Sequence, residues 1–392
     1  MRIACTPEQE ALRDELRAYF GDLMTPELVE EIQDRSGGGG PLYHKALRKM
    51  GSDGWLGIGW PEAYGGQGRT PVEQYIFSNE VQRAGFPLPL LTLNTVGPTL
   101  MQFGTEEQRR RFLPPILRGE MHFAIGYTEP DAGTDLASLV TRAERDGDEW
   151  VINGQKIYTS LAEYADYIWL AARTDPEAPK HAGISIFLVP TRSAGYGIDP
   201  IWTLSGVRTN ATFYDGVRVS EENLVGDEGQ GWMIIVNQLN HERISLLAPG
   251  MFERLFAEAV RWARETKLAD GRRVIDRSHV QMNLARVEAH LEILKLMAWK
   301  QAWAMSRGNP SPADASALKV FGSEFYVDGF RWLLEVIGQA GALKRGSLGA
   351  ILEGRLERLY RAASILTFGG GTNEIQRDII AAAGLQMPRE SR

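Results

Sequence analysis

The apolar pattern of this 392-residue chain changes period twice, and that constrains its fold more than any single motif. Up to about residue 121 apolar side chains recur at helical spacing. Thr6-Pro7-Glu8-Gln9 reads as a helix start: the Thr6 hydroxyl caps, Pro7 suits the first turn, and Gln9 closes a capping box. Leu12, Leu16, Phe20 and Leu23 then form one stripe, and Asn94 to Phe103 and Glu106 to Leu117 carry further helical patterns. Ser36-Gly37-Gly38-Gly39-Gly40 has little to bury and is expected to be a mobile loop. Beyond residue 121 come short runs rich in β-branched and aromatic residues: 122–127, 149–157, 167–172, 183–189 and 212–219. Asp146-Gly147-Asp148 and Asn153-Gly154 are expected turns between such runs. From Gln230 the helical period returns, and Val280, Leu284, Val287, Leu291, Leu294 and Ala298 follow at spacings of 4, 3, 4, 3 and 4, the seam of a helical bundle. The expectation is an α+β chain in three segments: a helical one (1–121), a small antiparallel sheet or barrel (122–228) and a helical bundle (229–392).

Several function classes are disfavoured. With 43 Lys plus Arg against 50 Asp plus Glu the net charge is −7, which offers no general attraction to nucleic acid or an anionic membrane. The lone Cys5 rules out an intramolecular disulfide and a Cys-rich zinc site. No apolar stretch approaches the ~18 residues of a membrane span, and the mixed-charge start lacks a signal-peptide profile, so membrane insertion is not expected and a cytoplasmic location is. Six scattered histidines offer no metal-ligand spacing, so no metal site is expected. G-x-G-x-x-G, H-E-x-x-H, G-x-S-x-G and a P-loop are absent.

Three stretches remain: Gly126-Tyr127-Thr128-Glu129-Pro130-Asp131-Ala132-Gly133-Thr134-Asp135, Asn153-Gly154-Gln155-Lys156-Ile157-Tyr158-Thr159-Ser160 and Gly369-Gly370-Gly371-Thr372-Asn373-Glu374-Ile375-Gln376-Arg377. Physically, the first and third are loops whose backbone N–H groups and hydroxyls suit anionic or carbonyl oxygens, or else tight turns capped by threonine. In this order, with Gly59-Trp60-Pro61-Glu62-Ala63-Tyr64-Gly65-Gly66 and Gly206 to Val219, they resemble the acyl-CoA dehydrogenase family over nearly the whole chain. The resemblance implies an N-terminal helical domain, a middle β-barrel domain and a C-terminal four-helix bundle. It also implies FAD-dependent α,β-dehydrogenation of an acyl-CoA thioester to the 2,3-enoyl-CoA, with an electron-transfer flavoprotein as acceptor. Residues matching flavin positions are Tyr127 and Thr128 beside the isoalloxazine, Gly133 and Thr134 at the pyrophosphate, Tyr158 against one ring face and Ser160 near N5, with Thr372 and Glu374 at the adenosine half.

Many relatives carry the proton-abstracting Glu two residues before the threonine of the last motif, where this chain has Gly370. The isovaleryl branch places it on a bundle helix beside Arg, and Glu242 in His241-Glu242-Arg243 matches that position. Glu242 is the expected base, Arg243 a neighbour of the substrate, and the Gly370 N–H a donor to the thioester oxygen. The bland alternative for Glu242 is a solvated helix residue. Homotetrameric relatives complete each FAD site with a neighbour's Arg-x-x-Phe-Gly, but this chain reads Lys267-Leu268-Ala269-Asp270-Gly271. Asp270, and Glu335 in a second such segment, would bring negative charge towards a pyrophosphate. The chain therefore resembles the base-bearing subunit of steroid side-chain acyl-CoA dehydrogenases built as α2β2 pairs with a homologous second subunit; a homotetramer is the alternative. A non-catalytic scaffold subunit and an oxygen-using acyl-CoA oxidase are the competing functional readings. Pro249 removes the N–H that would bond the Ser245 carbonyl, so a kink is expected in the helix carrying Glu242, either a packing kink with no bearing on substrate or one that widens a pocket for a bulky acyl group.

Overall fold

In the computed structural model, residues 4–35, 38–245 and 248–388 are described, with the side chains of 239–245 outside that set. The chain forms two compact units, each built from segments distant in sequence.

One unit comprises 1–24, 70–86 and 243–392. Its first helix, α1 (Pro7–Leu23), has the expected start: the Thr6 side chain accepts from the Gln9 N–H while Gln9 bonds back to Thr6, and Leu12, Leu16, Phe20 and Leu23 are buried. The same device opens α4 (Pro71–Ala84), with Thr70 and Glu73. Arg17 of α1 makes a bidentate pair with Glu80 of α4, at 2.9 and 3.1 Å. Helices α8 (Gly250–Glu265), α9 (Ser278–Ser306), α10 (Pro312–Ile337) and α11 (Arg355–Ala363) share one apolar core containing all six residues of the predicted seam. At its centre Phe252 lies 4.6 Å from Phe325 and 4.8 Å from Phe330, ring centroid to centroid. A β-carbon at Gly329 would come within 2.5 Å of the Phe252 ring, so glycine is what lets the two helices meet there. A short helix, α12 (Asn373–Ile379), follows.

The other unit, 25–69 and 87–242, holds helices α2 (Pro26–Asp34), α3 (Pro41–Ser52), α5 (Gly97–Phe103) and α6 (Glu106–Leu117), most of α7 (Gly231–Ser245), and a sheet. The strands are β1 (Phe123–Gly126), β2 (Arg142–Asp146), β3 (Glu149–Lys156), β4 (Tyr167–Arg173), β5 (Ile184–Pro190), β6 (Tyr196–Trp202), β7 (Arg208–Ser220) and β8 (Leu224–Val225). Their order is β6-β7-β3-β2-β4-β5-β8, with β1 also on β4. The five expected runs are all strands. Pairing is mixed rather than wholly antiparallel, because β4 has β1 and β2 as parallel neighbours.

Three local expectations are corrected. Asn153-Gly154 is no turn: it lies inside β3, where the register against β7 slips between Ile152 and Gly154 and Asn153 accepts from the Gly216 N–H at 2.9 Å. A β-bulge uses the same glycine chemistry that suggested a turn. Pro249 does not kink one helix but separates two, since Ala248 is not helical and Pro249 is the cap residue of α8. The glycine run is not a loose loop where it is described: Gly38 and Gly40 are buried, and a β-carbon at Gly39 would fall 2.2 Å from the Tyr164 ring. Ser36 and Gly37 lie outside the described residues. Among the described residues no helix is long and apolar enough to cross a membrane.

Candidate active site

The first motif leaves β1 and turns back at Pro130-Asp131, where Glu129 and Ala132 exchange backbone hydrogen bonds of 3.0 and 3.2 Å. Its anchor is Glu129, a residue the sequence analysis passed over. The carboxylate accepts from the Val140 N–H at 2.7 Å, the Thr141 N–H at 2.9 Å and the Lys156 ammonium at 2.7 Å. Lys156 is fully buried and Glu129 is 4% exposed. Burial pulls the Lys156 pKa down to about 8 against the attraction of Glu129. Burial would raise that of Glu129, but the Lys156 charge and the donated hydrogen bonds together hold it below the usual carboxylate range. The pair ties the first motif to the end of β3, and the Ile157 N–H donates to the Thr128 carbonyl at 2.8 Å. A Glu-to-Lys pair 27 residues apart has no sequence signal, since neither periodicity nor a local motif links them.

Tyr127 points inward. Its hydroxyl hydrogen-bonds the Gln238 side-chain oxygen and receives the Trp169 indole N–H at 3.0 Å. Gln238 is buried on α7, which brings that helix to the first motif. Gly133 and Thr134 sit on an exposed turn, with Asp135 next to them paired to Lys180 at 2.8 Å.

The second motif leaves β3 through a strained turn in which Tyr158 (φ 59°) and Leu161 (φ 63°) adopt the left-handed backbone that costs a side-chain-bearing residue ~1–2 kcal/mol. The turn is held from β7: Asn210 donates to the Thr159 carbonyl at 3.0 Å and to Glu163 at 2.6 Å, and the Thr159 N–H donates to the Asn210 carbonyl at 2.9 Å. Tyr158 is thereby 60% exposed, and the Ser160 hydroxyl lies 3.3 Å from that of Thr209.

In the other unit the glycine loop is fastened from beneath by a second buried lysine. Lys319 donates to the Gly371 carbonyl at 2.8 Å and to the Asn373 side-chain oxygen at 2.7 Å. Gly370 (φ 69°) and Gly371 (φ 96°) are left-handed, and a β-carbon at Gly371 would crowd the Gln376 amide at 2.8 Å. Thr372 caps α12 by accepting from the Ile375 N–H, and Glu374 faces outward. Glu242 and Arg243 lie on α7, and their side chains are outside the described residues.

Residues 6–120, 124–215 and 229–385 match, in that order, the N-terminal, middle and C-terminal domains of acyl-CoA dehydrogenases. The chain belongs to the acyl-CoA dehydrogenase family. It is 53% identical to acyl-CoA dehydrogenase FadE26 of Mycobacterium tuberculosis, over 100% of both chains. It also resembles, at 53% identity, a TM-score of 0.93 and full coverage of both chains, a chain in the crystal structure of the ChsE4-ChsE5 complex from Mycobacterium tuberculosis. A chain of the Tcur3481-Tcur3483 steroid ACAD is similar at 50% identity and a TM-score of 0.94, again over all of both chains.

Acyl-CoA dehydrogenases are flavoprotein oxidoreductases that as a family depend on FAD. The groups around 127–160 fit such a cofactor: an exposed tyrosine ring fixed by a strained turn, a neighbouring serine hydroxyl, and an exposed Gly133-Thr134 turn. The stretch expected to serve a neighbouring subunit carries an internal ion pair. Arg272 clasps Asp270 at 2.7 and 2.9 Å, so the Asp270 charge is offset within its own turn and its carboxyl is held low. Glu335 is likewise engaged, accepting from Asn283 at 2.8 Å. Among the described residues no cluster of three or more His, Cys, Asp or Glu could hold a metal ion.

Proposed function

We propose that this chain is the base-bearing subunit of a two-chain, FAD-dependent dehydrogenase that converts a bulky acyl-CoA thioester, of the steroid side-chain type, to its 2,3-enoyl-CoA. The carrying observation is the Tyr127–Gln238 hydrogen bond. Glu242 follows Gln238 by one helical turn on α7, so the position of the base shares a helix face with a residue locked onto the first flavin motif. In this reading Glu242 accepts the α-proton, a task for which a positioned carboxylate contributes ~10²–10⁴-fold. The Gly370 N–H donates to the thioester oxygen as negative charge develops there. Arg243 lies by the substrate. Tyr127, Thr128, Tyr158 and Ser160 bound the isoalloxazine, Gly133 and Thr134 the pyrophosphate, and Thr372 and Glu374 the adenosine half. When bound, FAD supplies the hydride acceptor, and an electron-transfer flavoprotein takes the electrons onward.

Two observations support a homologous second subunit. The Lys267–Gly271 turn offers no aromatic ring for an adenine, its acid being committed to Arg272. The similar ChsE4-ChsE5 and Tcur3481-Tcur3483 chains were solved as two-protein pairs, the latter described as a steroid ACAD.

The test is anaerobic titration of the purified two-chain holoenzyme with steroid side-chain and straight-chain acyl-CoA. Bleaching of the flavin by the former, and its loss by ~10²-fold or more in Glu242→Gln with FAD content unchanged, is expected. A Glu242→Gln enzyme that bleaches at the wild-type rate ends the base assignment. One tightly bound FAD per chain in a homotetramer of this chain alone ends the two-chain reading.

A further inference from the structure

The buried polar chain behind the 126–135 motif ends in a donor that has nothing to donate to. It starts at Trp169, fully buried in β4, whose backbone is in register with Ile125 of β1 and Leu188 of β5. An indole N–H can only donate, and it does so to the Tyr127 hydroxyl at 3.0 Å. Tyr127 in turn donates to the side-chain oxygen of Gln238, which is fully buried on α7. That bond engages the oxygen end of the amide from the sheet side. The nitrogen end, Nε2, is left buried with no hydrogen-bond partner among the described residues.

Buried polar groups are nearly always paired, so this donor calls for an acceptor. The residues that precede Gln238 on the same helix face, Ile234 and Ile235, are buried and have no side-chain acceptor. Those that follow on it are His241 and Glu242, three and four positions on. Side chains on a helix lean toward its N-terminus, so the side chain at i+4 reaches back over residue i. An imidazole accepts through one nitrogen at most, whereas a carboxylate offers two oxygens. A hydrogen bond to an ionised acceptor is also roughly twice as strong as a neutral one.

We infer that Gln238 is a positioning residue for the base: its Nε2 donates to one oxygen of the Glu242 carboxylate. That oxygen is then pinned through Gln238 and Tyr127 to Trp169 in the sheet, and the other is left to take the α-proton. The donated bond also favours the ionised carboxylate, opposing burial, which favours the protonated acid. The inference rests on Glu242 being the base and adds to that reading how the base is aimed and kept ionised.

The experiment is anaerobic stopped-flow bleaching of the two-chain holoenzyme by a saturating steroid side-chain acyl-CoA. It is followed from about pH 5 to 9 in wild type, Gln238→Met and Gln238→Glu, where the low-pH limb reports the base in the loaded enzyme. Methionine keeps the volume and removes the donor. Glutamate keeps an acceptor for Tyr127 but sets a like charge against Glu242. The limb should move up by about one pH unit in Gln238→Met, a tenfold loss of preference for the ionised form. It should move further in Gln238→Glu. His241 and Arg243, the titratable residues flanking Glu242 on α7, are the same in all three proteins. Rates are taken per bound FAD, so cofactor lost through an unpaired Tyr127 does not imitate the effect. A limb that stays at its wild-type pH in both variants, even with rates lowered equally at every pH, overturns the inference; Nε2 then meets His241 or an internal water. If Glu242→Gln is slow and the limb is unmoved, only this inference falls. If Glu242→Gln bleaches at the wild-type rate, the base assignment falls and this inference with it.

Discussion

Replacing Lys156 with methionine isolates the contribution of the buried pair that anchors the 126–135 motif. Methionine nearly matches the lysine stem, so little cavity opens; what changes is that Glu129 loses its counter-charge at 4% exposure. Breaking a buried pair from one side costs ~3–5 kcal/mol. Glu129 keeps the Val140 and Thr141 N–H bonds, at 2.7 and 2.9 Å, so the low end, about 3 kcal/mol, is expected. At ~2–4 °C per kcal/mol for a unit of this size, the melting transition should drop by roughly 6 °C or more. The double variant Glu129→Gln/Lys156→Met removes both charges. A glutamine carbonyl accepts one of the two amides and leaves the other unpaired, a penalty of ~1–3 kcal/mol. The double variant should accordingly be no less stable than Lys156→Met and, at the low end of that penalty, recover about 2 kcal/mol. Differential scanning calorimetry of wild type, both single variants and the double completes the cycle. A Lys156→Met loss below about 1 kcal/mol with no coupling between the two sites would refute the argument. FAD content per chain should fall in the single variant, because the Thr128–Thr134 turn hangs on this anchor.

Lys319→Ala removes the buried ammonium beneath the glycine loop and should cost about 2 kcal/mol, the range for a hydrogen bond from a charged donor. Amide exchange over 369–374 should quicken by at least about tenfold with α9 unaffected, and unchanged exchange would show that the loop does not rest on Lys319. His122 titrates near 4 when folded, against an ordinary 6.5. Between those values the unfolded chain holds the extra proton, so its contribution to stability is present above pH 6.5 and is lost as pH falls towards 4. The melting temperature of His122→Gln should therefore fall less between pH 6.5 and 5 than that of wild type, and identical slopes would contradict the burial argument.

Much of this protein was legible from local pattern. A helix reveals itself through residues three and four apart, which is why the Thr6 and Gln9 capping box, the Leu12 to Leu23 stripe and the six-residue seam of α9 are where the sequence indicates. Strands with a buried face were equally visible. β2, β6 and β8 were not, because β2 buries only Ala143, β6 buries none of its residues, carrying Asp199 and Pro200 instead, and β8 is only two residues long. Motif order alone identified the family, since three long stretches cannot recur together by composition. What sequence could not decide is what depends on partners far away along the chain. Whether Asn153-Gly154 turns or bulges is settled by β7, whose register offers Gly216 to Asn153. The glycine run looks empty until Tyr43 and Tyr164 fold against it. The charges of Glu129 and Lys156 are unremarkable in sequence and dominate the site only once sheet pairing removes water from around both. Local spacing is written in the chain, whereas desolvation is a property of the assembled fold, and the buried lysine anchors of the first motif and of the glycine loop are of that second kind.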